Sequence, residues 1–434
     1  MIKKTWRLLA LFFLVSHVVL GQNPHMQCGV SFLDQPPVEV RAKTAANPSD
    51  SIVYLIPVVF HVVWDTLQLG DTAITTNIPD ARILEQLEVL NEDYGKFGNG
   101  FNQNPVGADT RIRFALAQRD PNGRRTSGIT RQYNPEASNV NIAQERILKD
   151  LVRWDTRRYL NIWVVKEINF EREEDPTGGN PGVIGGYAYF PQNQAGQDLD
   201  GVVIRWEQLG RNARYHPTLN ILGRTATHEI GHYFGLFHPW GPRENSNCRE
   251  DDGLEDTPTC SGFDEVLVEG FSCDTDIFQC GRRRMIENYM DYTPDPCKNL
   301  FTEDQKRLMR VNIDRFRQPL VSEENLIQTG IFDIYQQLRA GERRDMVRIY
   351  PNPVVDRTLR LYSSLEQAVT MSIRIYNTRG QLMDHYRLDQ VEVNRRDIDL
   401  SRFDPGLYFY KLQYDVPDSD ASRTVEQRGK IILR

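Results

Sequence analysis

The stretch His228–His238, HEIGHYFGLFH, gathers three of the chain's eight histidines into eleven residues and sets one glutamate, Glu229, among them. On a helix, His228 and His232 stand four residues apart, so both rings lie on one face and can address one ion. Gly235 follows three residues later, where a residue in the left-handed conformation ends a helix and turns the chain. That turn would bring His238 back as a third ligand, and Pro239 keeps the helix from resuming. Three imidazoles leave zinc one position open to water, whereas a structural site is usually closed by four Cys or His ligands. Zinc lowers the pKa of its water to about 7, and Glu229, beside His228 but outside the ligand set, can take that water's proton. The motif therefore predicts a helix and turn carrying a hydrolytic zinc site, with His228, His232 and His238 as ligands and Glu229 as the base.

Upstream of this unit, strands and helices interleave. SIVYLIPVVFHVVW (51–64) is a β-branched run that reads as a buried strand, with His61 as a packed strand histidine and not a ligand. In 78–97, Ile83, Leu84, Leu87, Leu90 and Tyr94 recur at helical spacing. RIRFALAQRD (111–120) alternates Ile112, Phe114 and Leu116, and 159–165, 185–192 and 200–206 read as further strands. The pattern predicts a mixed α/β layer with the histidine helix beneath a sheet. Downstream, Thr302 and Gln305 form a capping-box signature for a closing helix.

Residues 319–345 read as a linker. From about 346 the texture changes to short strands, among them Val369, Met371, Ile373 and Ile375 alternating with polar neighbours, which predicts a small all-β Ig-like sandwich over 346–434.

The first 22 residues have a basic start (Lys3, Lys4, Arg7) and thirteen apolar-rich residues from Leu8 to Leu20. They read as a signal peptide over 1–21, too short in its apolar run to span a bilayer. Residues 22–50 lack periodicity and read as a pro-segment, and no other stretch predicts a transmembrane segment. A net charge of −7 over 434 residues, without a basic patch, gives no reason to expect a nucleic-acid partner. Export makes the six cysteines candidates for disulfides, five of them crowded between Cys248 and Cys297.

His-Glu-x-x-His-x-x-Gly-x-x-His is the metzincin signature, and ENYMDYTPDPC (287–297) resembles the methionine turn that follows it, with Met290 as the turn methionine. Together with GRTATHEIGHYFGLFH (223–238), DDGLEDTP (251–258) and LFTEDQ (300–305), it makes the chain similar to the pappalysin family of metalloproteases over about residues 50–318. Weaker likenesses are VLNEDY (89–94) and GYAYFPQ (186–192).

By position, the resemblance implies that Tyr292 stabilises the oxyanion. It also implies that Asp252, the Glu255 carbonyl and Thr257 bind Ca²⁺, an assignment that suits an acidic, oxygen-rich loop. Asp295 would lie at the floor of an S1′ pocket for Arg, or less well Lys. Disulfides Cys248–Cys280 and Cys273–Cys297 are implied, with Cys260 outside the pattern. MQCGV around Cys28 resembles a zymogen cysteine switch, the rival reading being a Cys28–Cys260 disulfide. Arg41 and Lys43 are candidate self-cleavage positions. The tail, with YPNP, IRIYNTRGQ and GKIILR, resembles the sorting domain of the type IX secretion system, which implies export to the exterior or attachment at the outer-membrane surface.

The expected function is a secreted zinc endopeptidase acting on polypeptides. The alternatives are a zinc-containing surface adhesin and a non-peptidase zinc hydrolase.

Overall fold

Nine strands join in one mixed sheet among the described residues. They are β1 (Gln27–Cys28), β2 (Tyr54–Trp64), β3 (Ile112–Leu116), β4 (Ile129–Tyr133), β5 (Asn139–Asn141), β6 (Leu160–Val165), β7 (Glu167–Phe170), β8 (Gly182–Ala188) and β9 (Val202–Arg205). The structure is a computed structural model describing residues 27–28, 52–69, 72–100, 102–170, 182–211, 221–242, 248–262, 272–342, 347–350, 354, 357–363, 369–391, 395–417 and 422–433. The expected signal peptide, and the pro-segment apart from residues 27–28, lie outside these, as do Arg41 and Lys43.

The sheet order is β3-β2-β6-β9-β8-β7-β5, with β4 on β2 and β1 on β8. Strands β3, β2, β6 and β9 run parallel, while β8 is antiparallel to β9. A sheet of this kind is covered on both faces, which is why β2 is a nearly unbroken apolar run. Its Ile56, Val58, Phe60 and Val62 pack on one side with Ile83, Leu90 and Tyr94 of α1 (Asp80–Gly95) and Ile230 of α2 (Arg224–Tyr233). On the other side Val63 packs with Trp163, Ile184, Tyr187 and Val203. Each fully buried side chain of this size contributes about 1.5–3 kcal/mol.

His61 is buried in β2, its Nδ1 2.7 Å from the Thr130 hydroxyl and its Nε2 2.8 Å from Asn161 Oδ1. Since Asn161 Oδ1 can only accept, Nε2 carries the proton. Burial lowers the pKa of His61 to about 4. The strand-histidine reading is borne out.

The capping box forms as expected at α3 (Glu303–Phe316): Gln305 N donates to Thr302 Oγ1 at 3.1 Å, and Thr302 N donates to Gln305 Oε1 at 2.9 Å. Residues after it differ from the expected linker. They form α4 (Gln318–Val321), α5 (Glu323–Gln328) and α6 (Phe332–Glu342). Leu326 and Ile331 are buried against Leu55 and Ala115, and Asn325 Nδ2 donates to Arg158 O at 2.9 Å. Helices this short hold through tertiary packing and caps, which helical periodicity does not reveal.

The C-terminal part is a sandwich of two antiparallel sheets. One orders β10 (Val347–Tyr350), β11 (Thr358–Ser363) and β14 (Arg395–Asp399). The other runs β13 (Leu382–Val391), β12 (Val369–Tyr376), β15 (Gly406–Pro417), β16 (Ser422–Leu433). Met371, Ile373 and Ile375 point into its core with Leu359, Leu361, Leu412 and Tyr414, as the alternation predicts.

Candidate active site and metal centre

Both ends of α2 are held by groups distant in sequence. At its start, Asp295 Oδ2 accepts from Leu222 N at 2.9 Å and from Arg224 N at 3.1 Å. At its end, Arg317 Nε donates to Tyr233 O at 3.0 Å and Asn312 Nδ2 to Phe234 O at 2.9 Å. An anion at the N-terminus and a cation at the C-terminus complement the helix dipole. Gly235 then takes φ 93°, with its N–H donating to His232 O at 2.7 Å. The expected reversal therefore occurs where glycine permits it, and it returns His238 to the face of His228 and His232.

The three Nε2 atoms converge. His232 lies 3.0 Å from His228 and 3.2 Å from His238, and His228 lies 3.2 Å from His238. Nitrogens bound tetrahedrally to zinc at ~2.0–2.1 Å would be roughly 3.3 Å apart. His228 Nδ1 donates to Tyr289 O at 2.8 Å, and His232 Nδ1 donates to Leu236 O at 2.6 Å. Their Nε2 atoms therefore present lone pairs to each other, an arrangement that a shared cation relieves. Burial, then the charge of His232, holds His228 and His238 well below the usual imidazole range, and burial lowers His232 to about 4. All three are thus neutral, the ligating form. Among the described residues they form the cluster of His, Cys, Asp or Glu ligand atoms lying within 4.8 Å of one another. The donor set fits zinc.

Glu229 is buried at this centre, and a Cβ built on Gly186 of β8 would lie 3.0 Å from its Cγ. The ring of Tyr292 packs edge-on against His238, 4.7 Å between centroids, and lies 5.7 Å from that of His228. His238 stacks on Trp240 at 4.6 Å. Met290 is fully buried beneath α2, with Asn288 Oδ1 accepting from its N–H at 2.8 Å. Asn288 in turn pairs with Gln305 by two 3.0 Å hydrogen bonds, so the capping residue of α3 also steadies the methionine turn.

The carboxylates of the acidic loop are not part of this cluster. Asp252 Oδ1 accepts from Leu254 N at 3.1 Å and from the Thr257 hydroxyl at 2.6 Å. Its Oδ2, like Asp256 Oδ1, is buried without a hydrogen-bond partner among the described residues. Burial pushes the Asp252 carboxyl well above its usual range, although its hydrogen bonds to Thr257 and Leu254 oppose the shift. Glu255 meets this region through its N–H, 3.3 Å from Asp304 Oδ2. Asp295 Oδ1 is 3.3 Å from Lys298 Nζ, so this carboxylate already has a cationic neighbour besides its role at α2.

Disulfides Cys248–Cys280 and Cys273–Cys297 form as the resemblance implied. Cys260 is a buried thiol, its pKa pushed up to about 12 by burial and then by Asp291. The backbone of Cys28 pairs in parallel with β8 opposite Gly186, at the strand that borders Glu229.

Several residues of the site lie outside the sequence-based set. Arg284 pairs with Asp291 at 2.8 and 2.9 Å and sits over Trp240, and Asp93 accepts from both Thr227 and Tyr289. A signal existed for Asp93: VLNEDY places charges on the face of a helix that must be buried.

The fold and the three-histidine centre define a metalloprotease of the metzincin type. Residues 141–314 match the Peptidase_M43 family, described as pregnancy-associated plasma protein-A. Mature mirolysin of Tannerella forsythia, solved with a cleaved peptide, is 33% identical, with a TM-score of 0.51, 65% of this chain covered and 99% of that one. A promirolysin mutant of the same organism is also 33% identical at TM-score 0.51, covering 63% and 85%. An extracellular metalloprotease of Pyricularia oryzae is 30% identical over 55% of this chain and 69% of its own. The chain belongs to this family of pappalysin peptidases. Residues 348–421 match the secretion system C-terminal sorting domain, which assigns the protein to type IX secretion, outward to the exterior or the cell surface. No helix among the described residues is long and apolar enough to cross a membrane.

Proposed function

We propose that the protein is a zinc-dependent endopeptidase, made as a zymogen, that hydrolyses peptide bonds with Arg, and less well Lys, at P1′. The observation that carries this reading is the convergence of three buried imidazoles beside a buried glutamate. Residues 1–21 would be the signal peptide, 22–50 the pro-segment, 51–318 the peptidase, 319–345 the connection and 346–434 the sorting domain handed to the secretion machinery.

His228, His232 and His238 would hold zinc, which supplies a Lewis acid that polarises the scissile carbonyl and makes water more acidic. Glu229 takes a proton from the attacking water and returns it to the leaving amine. The Tyr292 hydroxyl donates to the developing oxyanion. Asp295 receives the P1′ guanidinium, which must share Oδ1 with Lys298. Calcium in the acidic loop, held by Asp252, the Glu255 carbonyl and Thr257, is supported by the buried oxygens Asp252 Oδ2 and Asp256 Oδ1. The zymogen reading, with Cys28 as the switch, is supported by the pairing of its backbone against Gly186.

Cleavage-site mapping by mass spectrometry on a denatured proteome tests the reading, using matured wild type, Glu229→Ala and Asp295→Ala with zinc and calcium. Cuts before Arg that vanish with Glu229→Ala and lose Arg preference with Asp295→Ala are expected. Cuts before other residues would keep the peptidase and remove the pocket assignment. No cuts from zinc-loaded, pro-segment-free protein would leave the adhesin or a non-peptidase hydrolase.

A further inference from the structure

Asp93, in the last turns of α1, is buried at the junction of the two segments that make the metal centre. Its Oδ1 accepts from the Tyr289 hydroxyl at 2.7 Å and its Oδ2 from the Thr227 hydroxyl at 2.7 Å. Thr227 immediately precedes His228 on α2, and Tyr289 immediately precedes Met290. The carbonyl of Tyr289 is the acceptor for His228 Nδ1 at 2.8 Å. One carboxylate therefore fastens the backbone that carries a histidine and the residue that orients that histidine's ring.

The surrounding contacts tighten this connection. Tyr94, next to Asp93, donates its hydroxyl to Thr227 O at 3.1 Å. Arg224, one turn before His228, has Nε 3.6 Å from Asp93 Oδ1 and its guanidinium over the Tyr289 ring. A buried ionised carboxylate is costly to desolvate, and replacing such ion pairs with apolar side chains is often neutral or stabilising. Fold stability alone thus gives little reason for a carboxylate here. What an apolar residue could not do is hold two hydroxyls at fixed positions, one from each segment. Groups that orient a metal-ligating histidine from outside the ligand set tune metal affinity, commonly by 10–100-fold.

We propose that Asp93 is a positioning residue for zinc: through Tyr289 and Thr227 it sets the orientation of His228. The proposal rests on the three-histidine zinc reading and adds a fourth determinant of it on a different helix.

The test is zinc affinity of the full chain, measured by competition with a chromogenic chelator, for wild type, Asp93→Asn, Tyr289→Phe and the double variant. Asn is close to isosteric and retains one acceptor, and Phe removes only a hydroxyl, leaving the Tyr289 carbonyl in place. Each single variant is expected to bind zinc about tenfold more weakly. The double variant should be little worse than the weaker single, because both break the same connection. Melting temperatures of the zinc-free proteins separate positioning from folding. Zinc affinities within twofold of wild type, accompanied by lowered melting temperatures, would assign Asp93 a purely structural role and overturn the proposal. A wild-type chain that binds no zinc would instead remove the metal reading on which the proposal stands.

Discussion

Gly231 of the histidine helix and Met290 of the methionine turn are in direct apposition: a Cβ on Gly231 would lie 2.4 Å from the Met290 sulfur. The position between the catalytic-motif residues Glu229 and His232 is thus a docking point for the turn that also carries Tyr289 and Tyr292. The short motif supplies both the three clustered histidines and the place where their supporting turn comes to rest.

Gly231→Ala should therefore cost more than a helix alanine usually would. Alanine is the better helix former, so an exposed site would gain. Here, overpacking should cost about 1–3 kcal/mol and lower zinc occupancy. Combining it with Met290→Ala should give a loss smaller than the sum of the two single losses in denaturant melts. Strict additivity would show that the two residues do not meet in solution.

Glu229→Gln keeps shape and removes the proposed base. Zinc content and melting temperature should stay near wild type, while kcat falls by about 10²–10⁴-fold with little change in KM. A variant retaining a tenth or more of the activity would mean that the proton is carried by another group.

Burial of neutral His61 predicts acid sensitivity. Its folded pKa of about 4 lies below the unfolded value of 6.5, so the unfolded chain takes up the proton first as pH falls. The stability is complete above about 6.5 and is lost progressively toward 4. The full difference corresponds to about 3 kcal/mol. His61→Gln should flatten the fall in melting temperature between pH 7.5 and 4.5, even if it lowers the melting point throughout. Parallel curves for variant and wild type would show that His61 does not contribute to this slope.

What the sequence made legible were features written in local spacing. The i,i+4 histidines, the Gly235 reversal, the Thr302–Gln305 cap and the alternation through Met371, Ile373 and Ile375 each depend on neighbours within a few positions. The role of Asp93 was not legible: VLNEDY places it on the buried face of its helix, but its partner Tyr289 is 196 residues away. Arg317 reaches back 84 residues to cap α2 and grips Asp200 across 117. The helices between Gln318 and Glu342 escaped because Pro319, Ser322 and Gly330 interrupt any period, leaving their packing on Leu55 and Ala115 invisible in one dimension.

Asp295 should show two separable effects. Its carboxylate caps α2 by accepting from Leu222 N and Arg224 N, while Oδ1 faces Lys298 at 3.3 Å. Removing the side chain with Asp295→Ala should cost about 1 kcal/mol through the lost cap and also erase any Arg preference. Asp295→Asn retains an acceptor for the helix but loses the charge, so it should recover most of the stability without recovering the preference. Lys298→Met should act in the opposite direction on substrate, raising kcat/KM for P1′ Arg relative to a neutral P1′ residue, because the guanidinium no longer competes with an internal ammonium. Melting curves and paired-peptide kinetics on these three variants separate the roles. If Asp295→Asn kept full Arg discrimination, the carboxylate would be a helix cap alone, and the S1′ assignment would have to move to another acid.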